Sequence, residues 1–323
     1  MSYRVIFMGT PDFSVPILER LVEDERFEVA LVISQPDKPQ GRKHELIATP
    51  VAAKAKELGL ELWQPTKVRD ANFYDRIEAV QADFIVTAAY GRILTNEVLA
   101  LPKHGAVNVH ASLLPKYRGA SPVHWSIING DDVTGISIML MDAEMDHGDV
   151  LLQKEIEIPP FITTDLLMDR LAELGADAIG DAIAAYADGQ LLPVAQDHER
   201  ATYVSLLSRE IGAIDWQKSS FDIHNLIRGT YPWPGAYTTW NGKRLKIHRA
   251  HMTDRLPDTI EAKAEEAVPG TVLFAHKENL LVACGQGILA IDELQAEGSR
   301  RMPVEVISHN IEVGTVFGQD VKE

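Results

Sequence analysis

Cysteine is nearly absent from this chain: Cys284 is the only one in 323 residues. An internal disulfide and a zinc site built on several thiolates are therefore excluded, and a reducing compartment, the cytoplasm, is the expected home. Cys284 itself reads as an inert core thiol. Long apolar runs are missing too. The opening Val5-Ile-Phe-Met8 is far shorter than the core of a signal peptide. No stretch approaches the roughly 18–20 apolar residues of a membrane helix, so no membrane partner is expected. Positive charge is in deficit, with 31 Lys and Arg against 47 Asp and Glu and a formal net charge of -16. That balance argues against a long, non-specific grip on nucleic acid, which needs basic side chains to neutralise phosphates. The deficit is uneven. Residues 1–207 carry 18 basic and 31 acidic side chains, whereas residues 208–323 carry 13 and 16, so the second part is less hostile to a polyanion.

Two signatures of other chemistries are also wanting. Gly9-Thr-Pro-Asp12 follows the first strand-like run, where a dinucleotide-binding domain would carry Gly-x-Gly-x-x-Gly, but it holds one glycine. NAD is not expected, and a tight strand-to-helix turn accounts for the segment equally well. No Gly-x-Ser-x-Gly elbow is present and the lone cysteine lies late in the chain, which leaves covalent nucleophilic catalysis without a candidate.

What the chain does have is alternation. Its length favours two folded units over one, and an apolar share of 46% is enough to give each a core. Strand-like runs at 4–8, 29–33, 84–89, 106–110 and 135–141 alternate with helix-like segments at 14–23, 51–58 and 122–129. That order predicts an α/β domain with a largely parallel sheet, whose ligands sit at the carboxyl ends of the strands. Leu167, Leu171, Leu174, Ala178, Ile179 and Ile183 form one stripe at helical spacing, which predicts a long amphipathic helix over 166–186, stopped by Gly189. Residues 192–208 have Pro193 and no sustained period, so the linker is placed there. Beyond it, short strand-like runs at 245–247, 270–274, 280–283 and 287–291 predict a small, mainly β domain, a barrel.

Three places carry chemistry-bearing residues. Asn108 and His110 stand two apart at the end of a strand-like run, so their side chains share a face. An amide donor beside an imidazole suits acyl transfer, the one holding an oxyanion and the other moving a proton, though a structural role for both is compatible with the same spacing. The loop Asp142-Ala-Glu-Met-Asp146-His-Gly-Asp149 concentrates four carboxylates. It lacks the alternation of a calcium loop, and it reads as a solvated turn, a metal loop, or the source of a carboxylate that orients or deprotonates a neighbouring catalytic group. The Pro- and Gly-rich segment 34–43 presents Lys38, Arg42 and Lys43 as a surface loop able to contact phosphate, or merely a solvated turn. In the second part, strand alternation puts Arg244, Lys246 and His248 on one face.

Together these segments resemble the methionyl-tRNA formyltransferase family of folate-dependent formyltransferases. The resemblance runs through Met8-Gly-Thr-Pro-Asp-Phe13, Gln35-Pro-Asp-Lys-Pro-Gln-Gly-Arg42, Ala89-Tyr-Gly91 and Asn108-Val-His-Ala-Ser-Leu-Leu-Pro-Lys-Tyr-Arg-Gly-Ala120. It continues through residues 134–142, Asp146-His-Gly-Asp149, Ile214-Asp-Trp216 and Tyr231-Pro-Trp-Pro234, and so covers essentially the whole chain. It departs at Glu45 and Glu144, where the family favours basic or small residues. The resemblance implies a Rossmann-like formyltransferase domain over 1–191, a linker over 192–208 and an OB-like β-barrel that binds tRNA over 209–323. It implies Asn108, His110 and Asp146 as catalytic residues. Ser112, Leu113, Leu114 and Pro115 with Tyr90 and Gly91 would bind folate, and Arg42 and Lys43 would approach tRNA. The implied partners are 10-formyltetrahydrofolate as formyl donor, with no metal, and methionyl initiator tRNA as acceptor. A cytoplasmic monomer is expected.

Overall fold

The computed structural model describes residues 2–40, 45–253 and 258–319, which divide into two compact units. The first comprises residues 1–122, 133–157 and 168–204; the second comprises 123–132, 158–167 and 205–323.

The first unit is built on one seven-stranded sheet. From one edge to the other its order is Val150–Glu157, Val133–Leu140, Ala106–His110, Phe84–Ala88, Tyr3–Gly9, Phe27–Ile33 and Leu62–Trp63. The last five run parallel to one another and the first two join them through antiparallel pairings, so the α/β reading holds with an antiparallel edge added. The central strands Val5–Met8 and Phe84–Val86 are fully buried, which is why they read as continuous apolar runs rather than alternating ones. Helix Ala71–Val80, not foreseen from the sequence, is capped by Asp70, whose carboxylate accepts from Phe73 N–H at 3.0 Å. The long helix is Thr164–Ala187, with Leu171, Ala178, Ile179 and Ile183 buried and Gly189 at φ +70 just beyond its end. A β-carbon on its Gly175 would stand 2.9 Å from Val109 Cγ1, so glycine is what lets the helix lie close to the Ala106–His110 strand.

Most of the stretch expected as a linker is not a tether. Val194 bridges Val150, and Tyr203–Val204 pairs in parallel with Arg118–Gly119, which builds residues through 204 into the first unit. Two-residue pairings leave no period in a sequence.

The second unit is antiparallel. Its sheet runs Ala236–Trp240, Lys243–Met252, Ile288–Ala296, Asn279–Ala283 and Val272–His276, with Met302–Pro303 paired to Ile288–Ala296. Residues 314–318 close it: Gly314 N–H donates to Val272 O and Phe317 N–H to Gly270 O on one edge, and Gly318 N–H donates to Thr239 O on the other. That closure gives the expected barrel and leaves neither edge strand free for pairing with another chain. Leu245 and Ile247 point into its core while Arg244 and Lys246 face outward, Arg244 lying over the Tyr237 ring at 4.3 Å. Segment 158–167 joins this unit through buried groups on helix Ser220–Gly229: His224 Nε2 contacts Pro160 O at 2.9 Å and Thr164 Oγ1 donates to Gly229 O at 2.8 Å. Among the described residues no helix is long and apolar enough to cross a membrane. Burial pushes the Cys284 thiol up to about 12, consistent with an inert core position.

His124, on helix Pro122–Ile128 of the second unit, has a buried Nδ1 without a hydrogen-bond partner among the described residues. Burial lowers its pKa from 6.5 to about 4. Because the folded value lies below the unfolded one, the unfolded chain binds the proton more readily, and stability is lost as pH falls from about 6.5 towards 4. Between about pH 7 and about pH 5 the wild type should lose roughly 2 kcal/mol more stability than His124→Phe, read by urea denaturation at both pH values. Equal losses would refute a neutral buried His124.

Candidate active site

The two side chains singled out on strand Ala106–His110 are held by its neighbours. Thr87 pairs with Asn108 in the register of the adjacent parallel strand, and its hydroxyl donates to Asn108 Oδ1 at 2.8 Å. With the hydroxyl donating to the amide oxygen, Asn108 Nδ2 remains as a donor. His110 is buried, and its Nε2 lies 3.0 Å from Tyr117 O. A carbonyl can only accept, so Nε2 carries a hydrogen and Nδ1 is the nitrogen left to take or give a proton.

Nδ1 faces Asp146 Oδ1 at 3.6 Å, with both side chains largely buried. That separation is an ion-pair distance and exceeds a direct hydrogen bond. The imidazole is thus positioned by Tyr117 O, and the carboxylate stands opposite its free nitrogen. Asp146 is anchored separately: its Oδ2 accepts from Gly119 N–H at 2.7 Å. The acidic loop 142–149 therefore brings one carboxylate to the imidazole. Asp142 of the same loop turns away to His147 Nδ1 at 2.7 Å. Among the described residues no group of three or more His, Cys, Asp or Glu is placed to hold a metal ion.

Segment Ser112–Pro115 follows His110 directly and is tied down by Ser137 and Gln153, neither of which the sequence brought forward. Ser137 Oγ donates to Ser112 O at 2.6 Å and accepts from Leu114 N–H at 3.0 Å, and Gln153 Nε2 donates to Leu114 O at 2.8 Å. Leu114 is buried, while Leu113 and Pro115 are partly exposed, and the Leu114–Pro115 peptide is cis. Strand Phe84–Ala88 runs parallel to Ala106–His110, so residues 89–93 emerge at the same end of the sheet as 111–115. There Gly91, at φ +76, lines an open depression of about 480 Å³ with Thr66, Val68, Asp70, Arg92 and Ile93. Tyr90 behaves differently from Gly91. Its ring is buried in the core among Ile6, Met8 and Leu94, and burial pushes its phenol up to about 12. Its carbonyl instead fixes the loop, accepting from Thr10 Oγ1 and Gln35 Nε2. Arg42 and Lys43 lie outside the described residues.

The α/β fold and the family that the chain matches define an enzyme of the group-transfer kind. The chain belongs to the formyl transferase family, whose N-terminal part matches residues 3–183 and whose C-terminal domain matches residues 206–310. It is 46% identical over 318 residues to the methionyl-tRNA formyltransferase of Acetivibrio thermocellus, covering 98% of this chain and all of that one. Among solved structures it resembles WlaRD, a sugar 3N-formyl transferase, at 18% identity with a TM-score of 0.65 over 93% of this chain and 100% of that chain. It also resembles HypX from Aquifex aeolicus in complex with tetrahydrofolic acid, at 16% identity with a TM-score of 0.60. That match takes in 95% of this chain and 47% of HypX, so the chain spans about half of that protein. At these identities the two structures speak for the fold.

Ser137→Ala removes the one side chain that joins Ser112 to Leu114 and leaves the Leu114 N–H buried and unpaired. The expected cost is about 1–3 kcal/mol of stability by urea denaturation, and an unchanged midpoint would show that the loop finds another partner.

Proposed function

We propose that this protein transfers the formyl group of 10-formyltetrahydrofolate to the free amino group of methionyl initiator tRNA, acting as a monomer in the cytoplasm and giving formylmethionyl-tRNA for translation initiation. The observation that carries the reading is the meeting of Asn108, His110 and Asp146 at one strand end, in a chain similar over nearly its whole length to methionyl-tRNA formyltransferases. The residues present fit a reduced folate. The depression lined by Gly91 is of ligand size, and segment Ser112–Pro115, which leaves the same end of the sheet, carries the apolar Leu113 and Pro115 partly exposed.

Roles follow from the geometry. As the methionyl amine attacks the formyl carbon, negative charge collects on the formyl oxygen, and Asn108 Nδ2 is the donor left free to meet it. His110 Nδ1, with Nε2 already committed to Tyr117 O, takes the proton that the amine must lose, and Asp146 faces the site where that proton arrives. The proton is then available for the departing folate nitrogen. Ser112 to Pro115 and Gly91 serve the donor, Tyr90 contributing through its backbone. For the acceptor, the outward Arg244 and Lys246 of the barrel supply positive charge, as do Arg42 and Lys43 in the sequence.

The purified protein incubated with 10-formyltetrahydrofolate should formylate methionyl initiator tRNA and leave methionyl elongator tRNA largely unmodified, measured as formylmethionine released by ester hydrolysis. Transfer to a nucleotide-linked amino sugar but to neither tRNA would overturn the choice of acceptor. Asp146→Asn should lower turnover by about 10²–10⁴-fold with folate affinity little changed. Wild-type turnover in that variant would remove Asp146 from the mechanism.

A further inference from the structure

Arg118 is 1% exposed, and among the described residues no carboxylate stands within ion-pair distance of it. Its guanidinium donates to neutral acceptors instead. Nε and Nη2 reach Gln196 Oε1 at 3.1 and 2.8 Å, Nη2 also reaches His198 Nδ1 at 2.8 Å, and Nη1 reaches the Tyr203 hydroxyl at 3.1 Å. Burying a cation without a counter-ion is costly, and an apolar side chain would fill the same space more favourably if filling were all that was needed.

What the cation does is orient an amide. A guanidinium has no acceptor atom, so the Gln196 oxygen must face Arg118 and the nitrogen must point away from it. That nitrogen donates to Asp146 O at 2.9 Å and to Gly148 O at 2.7 Å. Gln196 thereby spends every hydrogen-bonding group it has, half on the buried cation and half on the loop that carries Asp146.

The loop needs such a clamp. Asp146 has φ +51, in the left-handed region that a β-carbon disfavours. Gly148 is so closely packed that a β-carbon there would sit 2.0 Å from Leu140 O. Residue 119, next to Arg118, fixes the other end of Asp146 by donating its N–H to Oδ2. The two adjacent residues 118 and 119 thus govern the backbone and the carboxylate of Asp146 together.

We infer that Arg118 and Gln196 form a positioning pair that holds the Asp146 carboxylate opposite His110 Nδ1; this rests on the reading of Asp146 given under the proposed function. Neither side chain is assigned contact with a substrate, so the pair acts on turnover through Asp146 and not on binding. Gln196→Glu keeps the length and the contact with Arg118 but turns an acceptor toward the two loop carbonyls, and Gln196→Met removes the donors without adding charge.

The test is steady-state formyl transfer to methionyl initiator tRNA by wild type, Gln196→Glu, Gln196→Met and Asp146→Asn, and by each Gln196 variant combined with Asp146→Asn. Folding of every variant is checked by circular dichroism. Each Gln196 variant that folds should lose about 10–100-fold in kcat, with KM for both substrates changed by no more than about twofold. In the Asp146→Asn background the same substitutions should change the residual kcat by less than about twofold, because the group they position is already gone. Wild-type kcat in a folded Gln196 variant, a change confined to KM, or an equal loss of kcat in both backgrounds would overturn the positioning role while leaving Asp146 in place. Wild-type turnover in Asp146→Asn alone would overturn both.

Discussion

Strand Ala106–His110 is fixed in register between two neighbours, and each neighbour contributes one hydroxyl that shapes what stands at its end. Thr87, opposite Asn108 on the parallel side, orients the Asn108 amide. Ser137, opposite His110 on the antiparallel side, binds both ends of the turn Ser112–Leu114. A slip of one residue in either pairing would carry these hydroxyls to the other face of the sheet and leave both the amide and the turn without a partner. The donor geometry of the site is therefore a consequence of sheet register before it is a property of any side chain.

The carboxylate reaches the site by a different route. Asp146 belongs to no strand and adopts a backbone conformation unfavourable for a residue with a β-carbon. Its place is imposed from outside, by Gly119 N–H on the carboxylate and by Gln196 on the carbonyl. Regular sheet supplies two members of the site and an over-determined loop supplies the third. Backbone strain of this sort persists only where the surroundings hold it, which makes residues far along the chain part of the same small constellation.

The second unit solves an unrelated problem. Its strands would leave two exposed edges, and residues 314–318 pair with both, so the barrel can carry an outward basic strip without offering an edge to other chains. This is consistent with the charge distribution along the chain, where the later part carries only a slight excess of acid. The first unit has its polar chemistry gathered inside the sheet end, where overall charge matters less than fixed dipoles.

The sequence by itself determined the α/β order of the first part, the bounds of strand Ala106–His110, the long helix and the pairing of Asn108 with His110 on one face, because each is written in a local period of two or 3.6 residues. It also marked the acidic loop as a source of a carboxylate. Only the tertiary structure decided that Tyr117 O meets the imidazole Nε2 while Asp146 faces Nδ1, that the Tyr90 ring lies in the core while Gly91 lines a depression, and that residues 192–204 are part of the first unit. Thr87, Ser137, Gln153, Arg118 and Gln196 were silent for the same reason. Each acts through hydrogen bonds to residues 16 to 85 positions away, and contacts of that kind leave no pattern among neighbours in sequence.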